Sequence, residues 1–176
     1  MAAVTIAESL SANTQVAITF STEQVAQTFT AALTGWITSA VVNVSHAATD
    51  GTAHVDIYAE DGSNRPTGPV LATASVNTST IGGVLEDITF TFNKDIQLVQ
   101  GEKYVLVYRI TSGQSGVGSN LPSAYSGGIL LTSLNSGSSW TSQTLDMYFG
   151  VYGDTEAPVA GSGISQPAVM FESWGF

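Results

Sequence analysis

The chain has 176 residues, of which only 10% are charged, and its four basic and fourteen acidic side chains give a formal net charge of -10. An acidic surface repels phosphate backbones, so we do not expect nucleic acid as a partner. No stretch approaches the roughly 20 apolar residues of a membrane span, so we do not expect membrane insertion. The sequence has no cysteine, which excludes disulfides, thiolate metal sites and a cysteine nucleophile.

Residues 1–23 are predicted to form an N-terminal arm or an edge strand. The start, MAAVTIAESLSANTQ, has no basic n-region and no continuous apolar h-region. We therefore expect a mature chain or a protein that never used a secretion signal. A length of 176 residues fits one domain with a real core, and we place that domain at residues 24–153.

Nine segments alternate apolar and polar residues and end at turn residues, which is the pattern of half-buried β-strands. Short strands at this spacing favour an all-β sandwich. The predicted strands cover residues 15–20, 24–31, 36–46, 53–60, 70–77, 84–92, 103–111, 128–133 and 146–152. In residues 104–110 both parities are apolar, so we expect a central strand that is covered on both sides.

The dipeptide Asp50-Gly51 lies between two of these strands and is preferred in the two-residue type I′ turn of β-hairpins. Such a turn pairs Val44 with Ile57 and Val42 with Ala59. The apolar residues of both strands then lie on one face, so the turn and the pattern predict the same hairpin.

The sequence has two histidines, and this hairpin register separates them. His46 is predicted to face inward and His54 to lie on the other face, which disfavours a two-histidine metal site. A Ser-His-Asp triad would need one of these histidines, and no G-x-S-x-G motif is present. We therefore expect no catalytic residues, no metal site and no enzymatic activity.

The loop after the second hairpin strand is rich in turn residues. Pro66 and Pro69 exclude a central strand there, because proline cannot donate to a sheet ladder. Glu60, Asp61 and Asn64 offer oxygen ligands for Ca²⁺, although the spacing of an EF-hand loop is missing. An ordinary turn with an Asx hydrogen bond explains these residues equally well, and no other cofactor is expected.

Residues 112–127 form the longest stretch rich in Gly, Ser and Asn, and we predict a long loop there. Tyr125 in this loop and Trp140 in a polar turn are candidate platforms for stacking on a glycan. Asn120 and Asp146 are their candidate polar neighbours. The alternative is that both aromatic side chains plug the ends of the sandwich.

Residues 154–176 are predicted to be a linker and an aromatic C-terminal docking tail. Glycine, serine and proline dominate the first part, whereas the end is apolar and aromatic. Such a tail covers a seam of its own sandwich or docks on another subunit, and both alternatives stay open. Its candidate docking residues are Val169, Met170, Phe171, Trp174 and Phe176.

Several segments together resemble a recurring β-sandwich module. They are QTFTA (27–31), GWITSAVV (35–42), VDIYAEDGSNRPTGPVLATASV (55–76), ITFTF (88–92), IQLVQGEKYVLVY (96–108) and DMYFGVYG (146–153). Their order is similar to that of jelly-roll modules in structural proteins of bacteriophages and in multidomain bacterial extracellular proteins. The resemblance implies an antiparallel jelly-roll β-sandwich of about eight to ten strands with extended terminal segments.

The resemblance also implies a role in binding or structure, and it transfers no functional residue to this chain. Because no secretion signal was identified, we expect a virion structural protein, assembled in the host cytoplasm, such as a capsid decoration protein or a small tail or fibre subunit. Its expected partners are copies of itself, other virion proteins and surface glycans. The alternative is a carbohydrate-binding module of an extracellular or receptor-binding protein.

Overall fold

The computed structural model describes residues 3–10, 14–18, 21–47, 49–121, 123 and 125–158. Fourteen strands are present in these ranges: β1 (Val4–Ser9), β2 (Thr14–Ile18), β3 (Gln24–Thr30), β4 (Gly35–Ala47), β5 (Thr52–Glu60), β6 (Pro66–Asn77), β7 (Glu86–Thr91), β8 (Gln97–Leu98), β9 (Lys103–Ile110), β10 (Gln114–Asn120), β11 (Leu130–Ser133), β12 (Thr141–Ser142), β13 (Asp146–Met147) and β14 (Phe149–Asp154). One short 3-10 helix, η1 (Thr78–Thr80), follows β6. No helix among the described residues is long and apolar enough to cross a membrane.

The strands form two antiparallel sheets, which confirms the all-β antiparallel sandwich. The first sheet has the order β1-β14-β4-β10-β13, with β2 on β10 and with β7 and β8 on β4. The second sheet has the order β12-β11-β3-β9-β5-β6. The jelly-roll connectivity stays a prediction, and fourteen strands replace the eight to ten expected because several short strands were not recognised in the sequence.

The core lies between the inner faces of the two sheets. Val42 and Val44 of β4 are fully buried from one side, and Val55 and Ile57 of β5 are fully buried from the other. Aromatic rings join the layers, as in the edge-on pair of Phe90 and Tyr108, whose centroids lie 6.2 Å apart. The alternating pattern therefore predicted correctly which side chains of these strands point inward.

The predicted hairpin at Asp50-Gly51 is wrong. β4 pairs with β7, β8, β10 and β14 in the first sheet, whereas β5 pairs with β6 and β9 in the second. A type I′ turn needs positive φ at both central residues, and neither Asp50 nor Gly51 has one. The connection crosses between the sheets, so Val44 and Ile57 belong to opposite layers of the sandwich and are not a cross-strand pair.

Hydrogen bonds hold this crossing segment on both sides. The Gly51 N–H donates to Thr78 Oγ1 (2.6 Å), and the Thr78 N–H donates to the Gly51 carbonyl (3.0 Å). From the β9-β10 connection, Ser112 Oγ donates to the carbonyl of Asp50 (2.7 Å). The segment is therefore fastened to η1 and to a neighbouring turn.

The long loop predicted for residues 112–127 is also wrong in its first half. Residues 114–120 form β10, which lies between β2 and β4, and six of its seven residues are buried. A Cβ on Gly118 would collide with the side chain of Asn43 on β4. The small residues of this segment, whose composition predicts a loop, therefore permit close packing between strands of the sheet.

The prolines of the loop after β5 have the predicted effect. β6 begins at Pro66 and pairs only with β5 among the described strands, so it is an edge of the second sheet. In the first sheet, β1 pairs with β14 and forms an edge of that sheet. β9 lies between β3 and β5 and is buried on both faces, which confirms its prediction as a central strand.

Candidate functional site

The outward face of the second sheet carries an apolar cluster of its own. Ala26 of β3, Val105 and Val107 of β9 and Leu131 of β11 are buried there, on the side away from the main core. Tyr58 and Trp140, both partly buried, pack against this cluster. This packing explains why β9 is apolar at both parities.

A concave site opens on this cluster, and we refer to it as the outer groove. Its volume is about 370 Å³. The lining residues are Gln24, Tyr58, Pro66, Thr67, Gly68, Val107, Ser136, Gly137 and Trp140. Residues of four strands (β3, β5, β6 and β9) and of the turn before β12 thus meet in one depression.

The turn before Trp140 is held by its own side chains and lies against Gln24. Ser133 Oγ accepts the N–H of Gly137 (2.9 Å), and Asn135 Oδ1 accepts the N–H of Ser139 (2.9 Å). Gly137 has φ +81°, and a Cβ there would lie only 3.1 Å from Gln24 Oε1. The left-handed backbone and this close approach therefore favour glycine where the turn meets the groove.

An ion pair lies next to the groove on the same face of the sheet. Arg109 Nε donates to Asp56 Oδ2 (2.7 Å), and Thr73 Oγ1 donates to Asp56 Oδ1 (2.6 Å). Asp56 is buried, so its carboxylate depends on these partners. The charges of Arg109 and Asp56 compensate each other, so the surface next to the outer groove is polar but nearly neutral.

Burial changes the titration of the neighbouring side chains. It raises the pKa of Tyr58, and the negative charge of Asp56 raises that pKa further. Burial also lowers the pKa of His54, with a second contribution from the positive charge of Arg109. At neutral pH the Tyr58 hydroxyl is therefore protonated and can both donate and accept a hydrogen bond.

Three of the four predicted glycan-binding residues lie elsewhere, at the main core. Asp146 has no exposed surface, and it accepts hydrogen bonds from Ser123 Oγ (2.5 Å) and the Tyr125 N–H (2.6 Å). Tyr125 packs edge-on against Phe149 at 5.2 Å. Asn120 is buried and is the cross-strand partner of Asp146. These three form a structural group, and only Trp140 lines the outer groove.

The sequence prediction missed Gln24 and Tyr58. Tyr58 lies on β5 at the parity opposite to Val55 and Ile57, which places it outward, and this signal was available in the sequence. The alternating pattern does not predict that Tyr58 lies near Trp140, because the strand order β11-β3-β9-β5 of the folded sheet brings these residues together.

The two histidines belong to different sheets. His46 of β4 is buried, with Nε2 lying 3.2 Å from the Thr49 carbonyl, whereas His54 lies on β5 of the second sheet. No group of three or more potential metal-ligating side chains occurs among the described residues.

The residues weighed as calcium ligands form a closed turn. Asp61 Oδ1 accepts the N–H groups of Ser63 (2.7 Å) and Arg65 (3.0 Å), and the N–H of Asn64 donates to Glu60 Oε1. These backbone donors, chiefly Ser63, hold the pKa of Asp61 below its usual value. This is the Asx turn of the sequence analysis, and its oxygens accept from the loop itself.

A second concave site, the side groove, opens where the edge strand β6 faces the end of β7. Its volume is about 270 Å³, and Val70, Leu71, Ala72, Thr73, Phe92, Asn93 and Asp95 line it. Beside it, Lys94 Nζ pairs with Asp154 Oδ2 of β14 at 2.9 Å. The last described strand therefore ends close to this groove, and residues 159–176 of the predicted tail, including all its candidate docking residues, lie outside the described ranges.

No protein-family model matches this chain, and no curated protein matches it.

Proposed function

We propose that this chain is a non-enzymatic structural protein of a bacteriophage particle, either a capsid decoration protein or a small tail or fibre subunit. It acts through contacts with copies of itself and with other virion proteins. The observation that supports the proposal best is the side groove, where the edge strand β6 faces the end of β7 and the exposed apolar side chain of Val70 adjoins polar lining residues.

Edge strands present unpaired backbone groups that recruit a further strand or a neighbouring subunit. Among the described strands, β6 pairs only with β5, and β7 pairs only with β4. Residues 70–77 of β6 contain neither proline nor a charged residue, so that part of the edge lacks the usual protection against pairing. Val70 at its start is 43% exposed. These features fit an assembly surface.

The resemblance to phage modules supports the choice of particle. Its segments contribute to β3, β4, β5, β6, β7, β8, β9, β13 and β14, which are strands of both sheets. The likeness therefore involves strands of both sheets, and its extension to a virion role is an argument by fold analogy.

The assembly test is the molar mass of the full chain in solution, measured by light scattering after size exclusion. We expect a multiple of the 18.2 kDa chain mass, and Val70→Lys should shift it towards the monomer, because a charge would be buried in the contact. The matched control is Val84→Lys, at a valine that is 75% exposed and lies outside the groove. A monomeric wild type, or an unchanged mass for Val70→Lys, contradicts assembly through this edge.

The particle test is mass spectrometry of purified virions from a phage that encodes the chain. Peptides of the chain should copurify with the particles at a fixed ratio to the major capsid protein. Their loss during density-gradient purification would exclude a structural role.

A further inference from the structure

We propose that the outer groove is a binding site for a neutral saccharide, with the rings of Trp140 and Tyr58 as its stacking surfaces. This site goes beyond the proposed assembly function, because it lies on the outward face of the second sheet and shares no lining residue with the side groove.

The apolar part of the groove has the composition that sugar recognition needs. Sugar rings present C–H surfaces that pack on aromatic faces, and Trp and Tyr combine such a face with a polar group. Trp140 and Tyr58 line the same depression and share the apolar support of Val107. Because both rings are partly buried against that support, little side-chain entropy is lost when a ligand binds.

The polar part of the groove matches hydroxyl groups. Gln24, Thr67 and Ser136 line the groove together with Tyr58, and the side chain of each of these residues can both donate and accept hydrogen bonds. A saccharide hydroxyl has the same dual capacity, whereas an apolar ligand would leave these groups unpaired at a cost.

Charge selects against an acidic ligand. All nine lining residues are uncharged, although the chain has a net charge of -10. Arg109, a cation on this face of the sheet, is paired with Asp56 and cannot compensate a second carboxylate without breaking that pair. An anionic sugar would therefore find no charged partner among the lining residues and would meet the negative field of the chain.

The volume sets the size of the ligand. Small-molecule sites measure about 300–1,000 Å³, and the outer groove, at about 370 Å³, lies at the lower end. The groove thus fits one or two sugar units of a longer glycan.

The test uses the full ¹⁵N-labelled chain, titrated with cellobiose, maltose and N,N′-diacetylchitobiose up to about 10 mM, a range that detects millimolar dissociation constants. We expect the indole N–H signal of Trp140 to shift saturably with at least one of them, while the signal of Trp36 stays in place. Digalacturonate should give no shift. Absence of saturable shifts with all three neutral disaccharides overturns the proposal.

Variants locate the site. Trp140→Ala should weaken binding at least about tenfold, as loss of an aromatic anchor does, and isothermal titration measures it. The control Tyr148→Ala removes a partly exposed tyrosine that donates a hydrogen bond to Asp87 of the first sheet, and it should bind like the wild type.

If Trp140→Ala does not fold, Thr67→Arg at an exposed lining position fills the groove without removing packing and should abolish binding. Wild-type affinity in either groove variant, or lost affinity in the control, overturns this location. Neither result depends on the oligomer, so the assembly proposal stands or fails separately.

Discussion

Asp146 shows how one buried side chain connects parts of the chain far apart in sequence. It accepts from Ser123 and from the N–H of Tyr125, and Gln27 Nε2 lies 3.4 Å from its Oδ1. The same Gln27 accepts the Met147 N–H through Oε1 at 2.8 Å. The group therefore ties β3 of one sheet to β13 of the other, which is why a carboxylate is tolerated in the core.

Asp146→Ala should lower the free energy of unfolding by about 2–4 kcal/mol, because it leaves two or three buried or partly buried donors without their acceptor, at up to about 1–3 kcal/mol each. Urea unfolding followed by tryptophan fluorescence measures this change. The control is Asp87→Ala, whose carboxylate is exposed and accepts from Asn43 and Tyr148, and it should cost less than about 1 kcal/mol. Equal costs for the two variants would refute the structural role of Asp146.

His54 should make stability depend on pH. Its pKa in the folded protein is lowered by burial and then by Arg109, with Asp56 acting in the opposite direction. The unfolded chain, with a histidine pKa of about 6.5, then binds the proton more tightly than the folded chain does. The contribution of His54 to the free energy of unfolding therefore rises with pH between the folded pKa and about 6.5, and it is constant above that value.

The check is a comparison of wild type with His54→Gln, each unfolded with urea at pH 5, 6, 7 and 8. The wild type should gain more stability between pH 5 and 7 than the variant does, while their difference stays constant from pH 7 to 8. Parallel curves over the full range would show that the histidine titrates alike in both states.

At the scale of the strands, alternation predicted the faces but not the partners. The inward parity of Val42 and Val44 on β4 and of Val55 and Ile57 on β5 follows from the period of two, and the structure agrees. Parity carries no information on the sheet to which a strand belongs. An Asp-Gly dipeptide between two such strands therefore fits a hairpin and a crossing between layers equally well, and the hydrogen bonds from Thr78 and Ser112 that hold the crossing are distant in sequence.

Thr78→Val tests whether this crossing depends on the Thr78 hydroxyl. Thr78 is fully buried, and its Oγ1 accepts the N–H of Gly51, so the isosteric valine leaves a donor unpaired. We expect a loss of about 1–3 kcal/mol in the free energy of unfolding by urea. Thr80→Val is the matched control, since Thr80 is exposed and only caps the Asn77 carbonyl. A difference of less than about 0.5 kcal/mol between the variants would contradict the role of the hydroxyl.

The candidate site was predictable only in part for a similar reason. Trp140 was recognised because a tryptophan in a polar turn is conspicuous. Tyr125 was conspicuous for the same reason, yet its ring packs at 5.2 Å from Phe149 because the preceding residues form the buried strand β10. Tyr58 and Gln24 come from β5 and β3, and only the strand order of the folded sheet brings them to Trp140. A site whose residues come from neighbouring strands depends on which strands pair. The alternation of apolar and polar residues does not determine that pairing.

At the scale of the whole molecule, the outer groove and the side groove have separate linings. The outer groove lies on a sheet face and is uncharged, whereas the side groove lies between sheet edges and carries Asp95 at its margin. A subunit attached through its edge would leave the face accessible, so assembly and saccharide binding are compatible in one particle.

Deletion of residues 165–176 tests the predicted docking tail, which lies outside the described residues. In the part of the chain that the structure describes, all strands and all core residues lie at or before Asp154, so we expect the shortened chain to keep its thermal unfolding midpoint within about 2 °C. Its incorporation into particles should nevertheless fall at least about tenfold, because an aromatic anchor supplies much of the binding energy of an interface. Incorporation is measured by quantitative immunoblotting of purified particles after complementation, with deletion of residues 172–173 alone as a control for shortening.

Full incorporation of the truncated chain would remove the tail from the proposed mechanism and leave the β6 edge as its remaining support. An equal loss of incorporation and of thermal stability would instead show that the tail belongs to the fold of its own subunit.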